Sequence, residues 1–175
     1  RISQVFQTSN PAVHLWLSHL QQLKGGVALE DLLAYAILLY EGIVTEEEYQ
    51  ERLHALFLAY PDDRTLLDLE CETNIQKAGI YIRTRADYGY LGLHPETFGR
   101  ALMEKLRDYY ARCTDLRQFG RKMYSLWESL PGNLQNMEPF WSLCYADDPL
   151  TWGDEAQTRS LYETMLSYYE EDVRG

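Results

Sequence analysis

The sequence LEDLLAYAILLY, residues 29–40, decides the fold class of this chain. Its apolar residues are Leu32, Leu33, Ala36, Ile37, Leu38 and Leu39. They cover nearly every side of a helix, whereas a surface helix carries one apolar stripe and a helix that is apolar all round is enclosed by other elements. We therefore expect a central helix here, ended at Gly42 and surrounded by further helices.

Helical patterns continue on both sides of this segment. Toward the N-terminus, Pro11 follows the capping residues Ser9 and Asn10 and begins an amphipathic helix that ends at Gly25. Its stripe consists of Val13, Trp16, Leu17, Leu20 and Leu23. After the central helix, Thr45 with Glu48 forms a capping box, which predicts a helix starting there and ending before Pro61.

The next region predicts one helix over residues 64–83. Its apolar positions are Leu67, Cys71, Ile75, Ala78 and Ile82. Gly79 and the alternation of Ile80 with Ile82 leave a short strand as the alternative. Residues 86–93, ADYGYLGL, contain two glycines and favour a loop.

The C-terminal half contains further helix starts and stops. Pro95 begins one helix, Thr114 or Asp115 caps the next, Pro131 ends it, and Pro139 starts a short helical turn before a last helix over 154–170. The segments FGRALM (98–103) and FGRKMY (119–124) are too short to establish a repeat, and we interpret their glycines as points of close helix contact. A chain of 175 residues with this pattern predicts an all-α fold, a single-domain irregular bundle of about six to seven helices spanning 1–175.

Charge divides the chain into three blocks. Residues 1–76 carry a net −8, residues 77–122 a net +5 and residues 123–175 a net −8, for a total of −11. An acidic field steers basic partners, and it disfavours nucleic acid along most of the surface. The basic segment still holds Arg83, Arg85, Arg117, Arg121 and Lys122, which with Tyr88 and Tyr90 keep a nucleic-acid binder as one alternative. Part of its charge is expected to be matched by pairs of Glu104 with Arg107 and of Asp108 with Arg112.

Carboxylates and aromatic side chains at predicted loops are the candidate partner-binding residues. They are Asp62, Asp63, Asp147, Asp148, Trp152, Asp154 and Glu155. Hard cations such as Ca²⁺ prefer oxygen ligands, but the spacing here is not that of an EF-hand loop. Helix capping by Asp154 and turn formation before Pro149 account for the same residues more simply.

No pattern in the chain names a reaction or a cofactor. His14 and His19 are five residues apart and do not share a helix face, and His54 and His94 stand alone. A nucleophile elbow, a phosphate-binding glycine loop and a metal-ligand cysteine spacing are all missing from the sequence. A small helical enzyme with a His/carboxylate site, with or without a divalent metal, remains the catalytic alternative.

The cysteines and the hydropathy of the chain are used to predict where in the cell the protein is located. The widely spaced Cys71, Cys113 and Cys144 favour reduced thiols and a cytoplasmic protein. The longest apolar run, residues 32–40, is shorter than the roughly 20 residues that span a bilayer, so we expect no membrane partner.

These features favour a non-catalytic acidic protein that binds and inhibits or regulates a basic partner, such as a toxin or a nucleic-acid-binding enzyme. Bacterial immunity proteins, which cover the basic active sites of toxins, have this style. Self-association of the basic segment of one copy with an acidic block of another is a further alternative, and its test is the mass at low and high salt.

Overall fold

A computed structural model describes residues 29–88 and 94–170, without the side chains at 83 and 85–88. All the regular secondary structure in this part of the chain is helical and none of it is strand, which confirms the all-α prediction. Its helices are α1 (Leu29–Tyr40), α2 (Glu46–Ala59), α3 (Arg64–Cys71), α4 (Ile75–Tyr88), α5 (Pro95–Arg112), α6 (Leu116–Ser129), α7 (Ser142–Tyr145) and α8 (Glu155–Leu166), with a 3₁₀ helix at Asp148–Trp152. The helix predicted after Pro11 lies outside the described residues.

Helix α1 is the centre of the bundle, as its composition predicts. It packs against α2, α4, α5 and α6, and every residue from Glu30 to Leu38 is buried. Two of those buried residues are acids with partners from other elements. Glu30 Oε1 accepts a hydrogen bond from the His94 backbone N–H at 3.1 Å, and Asp31 Oδ2 lies 3.0 Å from Arg52 Nε. The first turn of α1 is therefore held to α2 and to the start of α5.

The C-terminal end of α1 is fixed to α6 through Glu41. This residue is buried, its carboxylate accepts from the hydroxyls of Ser125 (2.8 Å) and Ser129 (2.5 Å), and its carbonyl accepts from Lys122 Nζ at 2.7 Å. Gly42 follows with φ +71°, a conformation that glycine adopts without a side-chain penalty. The glycine that predicts the end of α1 therefore follows a helix end that side chains of α6 hold by hydrogen bonds.

Two predicted caps are confirmed. The Thr45 hydroxyl accepts from the Glu48 N–H at 3.2 Å, and Glu48 Oε2 accepts from the Thr45 N–H at 2.8 Å, so both halves of the capping box are formed. Asp115 caps α6 by accepting from the N–H groups of Arg117 and Gln118. Each cap satisfies backbone donors that a helix start leaves without partners.

The single helix predicted over 64–83 is wrong, because the chain breaks between Cys71 and Ile75. Glu72 Oε1 accepts from the Asn74 N–H at 2.8 Å, and Asn74 Oδ1 accepts from the Lys77 N–H at 3.1 Å. These local bonds compete with helix continuation and restart the chain as α4. Helix α4 then runs to Tyr88, so the strand alternative and the predicted loop start at residue 86 are also wrong.

Candidate protein-binding surface

Residues 141–152 form an almost continuous helical segment with two distinct sides. The inward side is buried and consists of Ser142, Leu143, Ala146, Pro149 and Leu150. The outward side is exposed or half-buried and consists of Trp141, Cys144, Tyr145, Asp148, Thr151 and Trp152. Helix α7 and the 3₁₀ helix together therefore act as one amphipathic element, with its apolar side in the core.

Contacts with α6 and the start of α8 hold this segment in place. Arg117 Nη2 donates to the Leu150 carbonyl at 3.2 Å, and the Asp154 N–H donates to the Pro149 carbonyl at 2.9 Å. Gly153, at φ +86°, lets the chain turn from the 3₁₀ helix into α8. The outward side chains are thus presented by a fixed backbone.

Two tryptophans dominate the outward side. Trp152 is 64% exposed and Trp141 is 51% exposed, which is unusual for side chains of this size. The Trp141 and Tyr145 rings make an edge-to-face contact with centroids 5.6 Å apart. Tyr145 Oη in turn donates to Glu138 Oε1 at 3.2 Å, which fixes the tyrosine beside a carboxylate. A rigid aromatic surface results.

Carboxylates flank Trp152 on both sides. Asp148 precedes it on the outward side and is exposed, while Asp154 and Glu155 follow it and are also exposed. Asp154 Oδ1 accepts from the Gln157 N–H at 2.9 Å, and Glu155 Oε1 accepts from Arg159 Nη2 at 2.6 Å, so both also serve α8 as predicted. We call the exposed or half-buried side chains Trp141, Tyr145, Asp148, Trp152, Asp154 and Glu155 of this segment and the start of α8 the tryptophan face.

Asp147 does not belong to this face, although its position in the sequence suggested it. It is half-buried, and its side chain packs against Gly120 of α6 so closely that an added Cβ there would lie 2.6 Å from Oδ2. Burial, together with the charge of Asp148, raises the pKa of this carboxyl group. Gly120 is therefore a point of close contact, as the FGRKMY motif predicted, and Gly99 packs in the same way against Tyr169.

Asp62 and Asp63 lie in a different part of the fold. They form the turn between α2 and α3, which pack on each other, whereas the 3₁₀ helix packs on α8. Asp62 is exposed, and Asp63 Oδ1 accepts from the Leu66 N–H at 3.0 Å as the N-cap of α3. The structure thus gives Asp63 a capping role, and it leaves Asp148, Trp152, Asp154 and Glu155 exposed within residues 148–155.

Several cations of the basic segment make internal contacts, whereas Tyr90 and the side chains of Arg83, Arg85 and Tyr88 lie outside the described part of the chain. Lys105 Nζ lies 2.8 Å from Glu48 Oε1, Arg107 pairs with Glu170, and Lys122 and Arg117 donate to the carbonyls described above. Arg107 thus pairs with Glu170 instead of Glu104, and Arg112 Nε donates to the Asp108 carbonyl instead of its carboxylate. Two of the five cations named for the nucleic-acid alternative, Lys122 and Arg117, thus have internal hydrogen-bond partners, and that alternative stays a prediction.

The His/carboxylate alternative finds one pair in the described residues. His54 Nδ1 lies 3.4 Å from Glu70 Oε1 between α2 and α3, with the histidine side chain 57% exposed. Residues 29–88 and 94–170 contain no group of three or more His, Cys, Asp or Glu side chains placed to hold a metal ion. Within the same ranges, no helix combines the length and apolar character needed to cross a bilayer.

Trp141 is the functional candidate that sequence reasoning missed. Part of the signal was present in the spacing, because Trp141, Tyr145 and Asp148 recur at intervals of four and three residues, the spacing of neighbours on one side of an α-helix. The intervening Leu143, Ala146 and Leu150 supply the matching apolar side. The pattern is interrupted, because α7 ends at Tyr145, Ala146 and Asp147 form a turn, and side chains in the 3₁₀ helix that follows repeat every three residues.

Comparisons with protein-family models, with curated proteins and with solved structures found no match to this chain. Its function is therefore argued from the tryptophan face and the charge of the molecule.

Proposed function

We propose that this protein is a non-catalytic binding domain that docks on a basic protein partner and inhibits or regulates it by covering its surface. The observation that carries the proposal is the exposure of Trp152 and Trp141 on a fixed segment, beside the carboxylates of Asp148, Asp154 and Glu155. Tryptophan is the residue type most enriched among side chains that dominate binding energy. Exposed aromatic side chains with carboxylates close by in the chain have the composition of a binding surface.

The rigidity of the segment supports tight binding. Arg117 and the turn at Gly153 fix the 3₁₀ helix before any partner arrives. Ordering an interface side chain on binding costs about 0.5–1.5 kcal/mol, and a surface that is already ordered avoids much of that cost. The tryptophans therefore contribute burial with little loss of conformational freedom.

Charge determines which partner is attracted. The chain carries a net −11, and several cations of its middle segment are paired internally, so the field at the tryptophan face is acidic. Such a field accelerates encounter with a basic surface and repels nucleic acid. A toxin of the bacterial toxin–immunity type or a nucleic-acid-binding enzyme, each with a basic active site, fits this chemistry.

The test is capture of binding proteins from a lysate of the native organism at low and high salt, using four forms of the chain. Wild type is compared with Trp141→Ala/Trp152→Ala and with Asp148→Lys/Asp154→Asn. Asparagine at 154 keeps the N-cap of α8 while it removes the charge. The fourth form, Glu51→Lys/Glu128→Gln, makes the same total charge change at two exposed positions on α2 and α6.

We expect a basic protein that wild type and the Glu51/Glu128 control retain at low salt, and that both altered forms of the tryptophan face lose. Identified partners are then assayed for their own activity with and without this chain. The proposal would be refuted if the same proteins were captured at low and high salt, and by the variants of the tryptophan face as well as by wild type. Mass measurement of the purified chain at both salt concentrations separates partner binding from self-association.

A further inference from the structure

We propose that the groove between α3 and α4 binds the chain's own residues 11–24, which lie outside the described part of the chain and which the sequence predicts as an amphipathic helix. The proposal goes beyond the proposed function, because other elements than those of the tryptophan face form this groove. It assigns a docking surface within the molecule rather than a second surface for a partner.

The groove has a volume of about 510 Å³ and is lined by the end of α3 and one side of α4. Among its lining residues, Leu69 is buried, Tyr81 is half-buried and Ile80 is 67% exposed. The Tyr81 hydroxyl donates to Asp68 Oδ2 at 3.2 Å, which links the two helices across the groove. Covering the Ile80 side chain would remove apolar surface from water, which is favourable in proportion to the area buried. The space suits a few large side chains, since it falls in the range of about 300–1,000 Å³ typical of ligand pockets.

Residues 11–24 have the sequence pattern of a helix that docks in such a groove. Val13, Trp16, Leu17 and Leu20 occupy positions i, i+3, i+4 and i+7. This is the spacing of the anchor residues with which an amphipathic helix lies in a hydrophobic groove. A helix with an apolar stripe must bury that stripe against another element, and the groove offers exposed apolar surface for it.

The charge of the N-terminal segment also matches the rest of the molecule. Residues 1–28 contain Arg1 and Lys24 but no Asp or Glu, a net +2, whereas residues 29–175 carry a net −13, which together give the total of −11. Asp68 and Glu72 line the groove with a single cation, Lys77. A segment without acids avoids the repulsion that an acidic helix would meet there.

The connection to α1 favours the chain's own segment over other occupants. Residues 25–28, GGVA, join Lys24 to Leu29 at the start of α1, a distance of at most about 18 Å. Helix α1 packs against α4, so the tether keeps residues 11–24 near the helices around α1. A short flexible linker gives an effective concentration on the order of millimolar, which exceeds the concentration of a second copy in a dilute solution.

Photo-cross-linking tests which segment covers the groove. Ile80→p-benzoylphenylalanine places a photoreactive group at the groove, and Leu67→p-benzoylphenylalanine places it at another exposed apolar position, on α3 but outside the groove. After irradiation of the full chain, we expect position 80 to cross-link to a peptide within residues 11–24 of the same chain, and position 67 not to do so. A cross-linked dimer would assign the groove to a second copy and overturn the proposal. Cross-links from position 80 only to other residues, or none at all, would overturn it as well.

Hydrogen exchange measures whether the contact protects the segment. In Ile80→Gln, we expect amide exchange within residues 13–23 to be about five- to thirtyfold faster than in wild type, as for the loss of one buried apolar contact. Leu67→Gln makes the same kind of change outside the groove and should leave the exchange of these residues as in wild type. Circular dichroism verifies that both variants fold. Equal exchange in wild type and Ile80→Gln, or equal acceleration in both variants, overturns the proposal.

Discussion

Gly120 on α6 and Asp147 before the 3₁₀ helix are in such close contact that only glycine fits. A Cβ at position 120 would lie 2.6 Å from Asp147 Oδ2 and 2.8 Å from Asp147 Cβ. A side-chain rotation moves the carboxylate but leaves Cβ where it is, so the backbone at 147 must shift to make room. This contact fixes how closely the segment bearing Trp152 packs against α6.

The substitution Gly120→Ala is expected to lower the free energy of unfolding by about 1–3 kcal/mol, the usual cost of overpacking. Gly79→Ala is the matched control, because it lies within α4 and no atom outside the helix backbone lies within 4 Å of the added Cβ. Alanine there should raise stability by about 0.5–1 kcal/mol. Urea unfolding of both variants gives the comparison, and a neutral Gly120→Ala would contradict the packing account.

The Ser129 hydroxyl supports a buried carboxylate, so Ser129→Ala is expected to cost about 1–3 kcal/mol. Glu41 would lose one of its two hydroxyl donors in the interface between α1 and α6. Ser160→Ala, at an exposed position on α8, serves as the control for the intrinsic effect of the exchange. A double-mutant cycle with Glu41→Gln, which keeps an acceptor oxygen, measures how much the charge of Glu41 strengthens the bond, and additive effects would show that the charge contributes nothing.

Asp147 links stability to pH in an unusual direction. Its pKa in the folded protein is raised above the ordinary 3.8 by burial and by Asp148. The folded state therefore holds the proton more tightly than the unfolded state, and the charged form destabilises the fold at pH 7. This penalty disappears as the pH falls through the raised pKa.

The substitution Asp147→Asn should accordingly stabilise the protein more at pH 7 than at pH 4, relative to wild type. Asp62→Asn makes the same chemical change in an exposed turn and is the control. Chemical unfolding across this pH range supplies the measurement. An effect of Asp147→Asn that does not vary with pH would show that the carboxyl group experiences no net cost from its surroundings.

The Glu48 carboxyl group links stability to pH in the opposite direction. Burial alone would raise its pKa, but hydrogen bonds from Lys105 and from the Thr45 N–H lower it below the ordinary 4.5. The charged form of Glu48 thus stabilises the fold at pH values above the ordinary pKa of this group. The stabilisation is lost as the pH falls through the lowered pKa of the folded state. Glu48→Gln keeps the cap but removes the charge that pairs with Lys105.

We therefore expect Glu48→Gln to be less stable than wild type at pH 7 and to approach it at pH 3. Glu47→Gln, in the same first turn of α2 but exposed, controls for the general effect of a negative charge at a helix start. Unfolding curves of wild type and of both variants at the two pH values measure these differences in stability. Equal losses for the two substitutions would exclude a specific contribution from the Lys105 pair.

Local patterns in the sequence predicted the fold well because they act over a few residues. The capping box at Thr45, the cap at Asp115 and the apolar helix α1 all appear where composition and spacing placed them. The break between α3 and α4 was missed, since the apolar period continues through it. It depends on side-chain bonds from Glu72 and Asn74 that outcompete helix continuation.

The exposure of the candidate residues could be predicted only in part, because exposure is a property of the packed molecule. Trp152 stood out among acids in a loop, whereas the exposure of Trp141, which the spacing to Tyr145 and Asp148 only suggested, became evident once its neighbours Ser142 and Leu143 were seen to be buried. The inward position of Asp147 depends on Gly120, which lies 27 positions earlier in the chain. Long-range contacts of this kind leave no local pattern.

The most direct test of the central claim is hydroxyl-radical footprinting of the chain alone and in complex with its captured partner. The account predicts that oxidation of Trp141 and Trp152 falls strongly in the complex, while Tyr124, which is 46% exposed on α6, is oxidised equally in both states. Unchanged oxidation of both tryptophans in a saturated complex would contradict it, because the partner would then bind elsewhere.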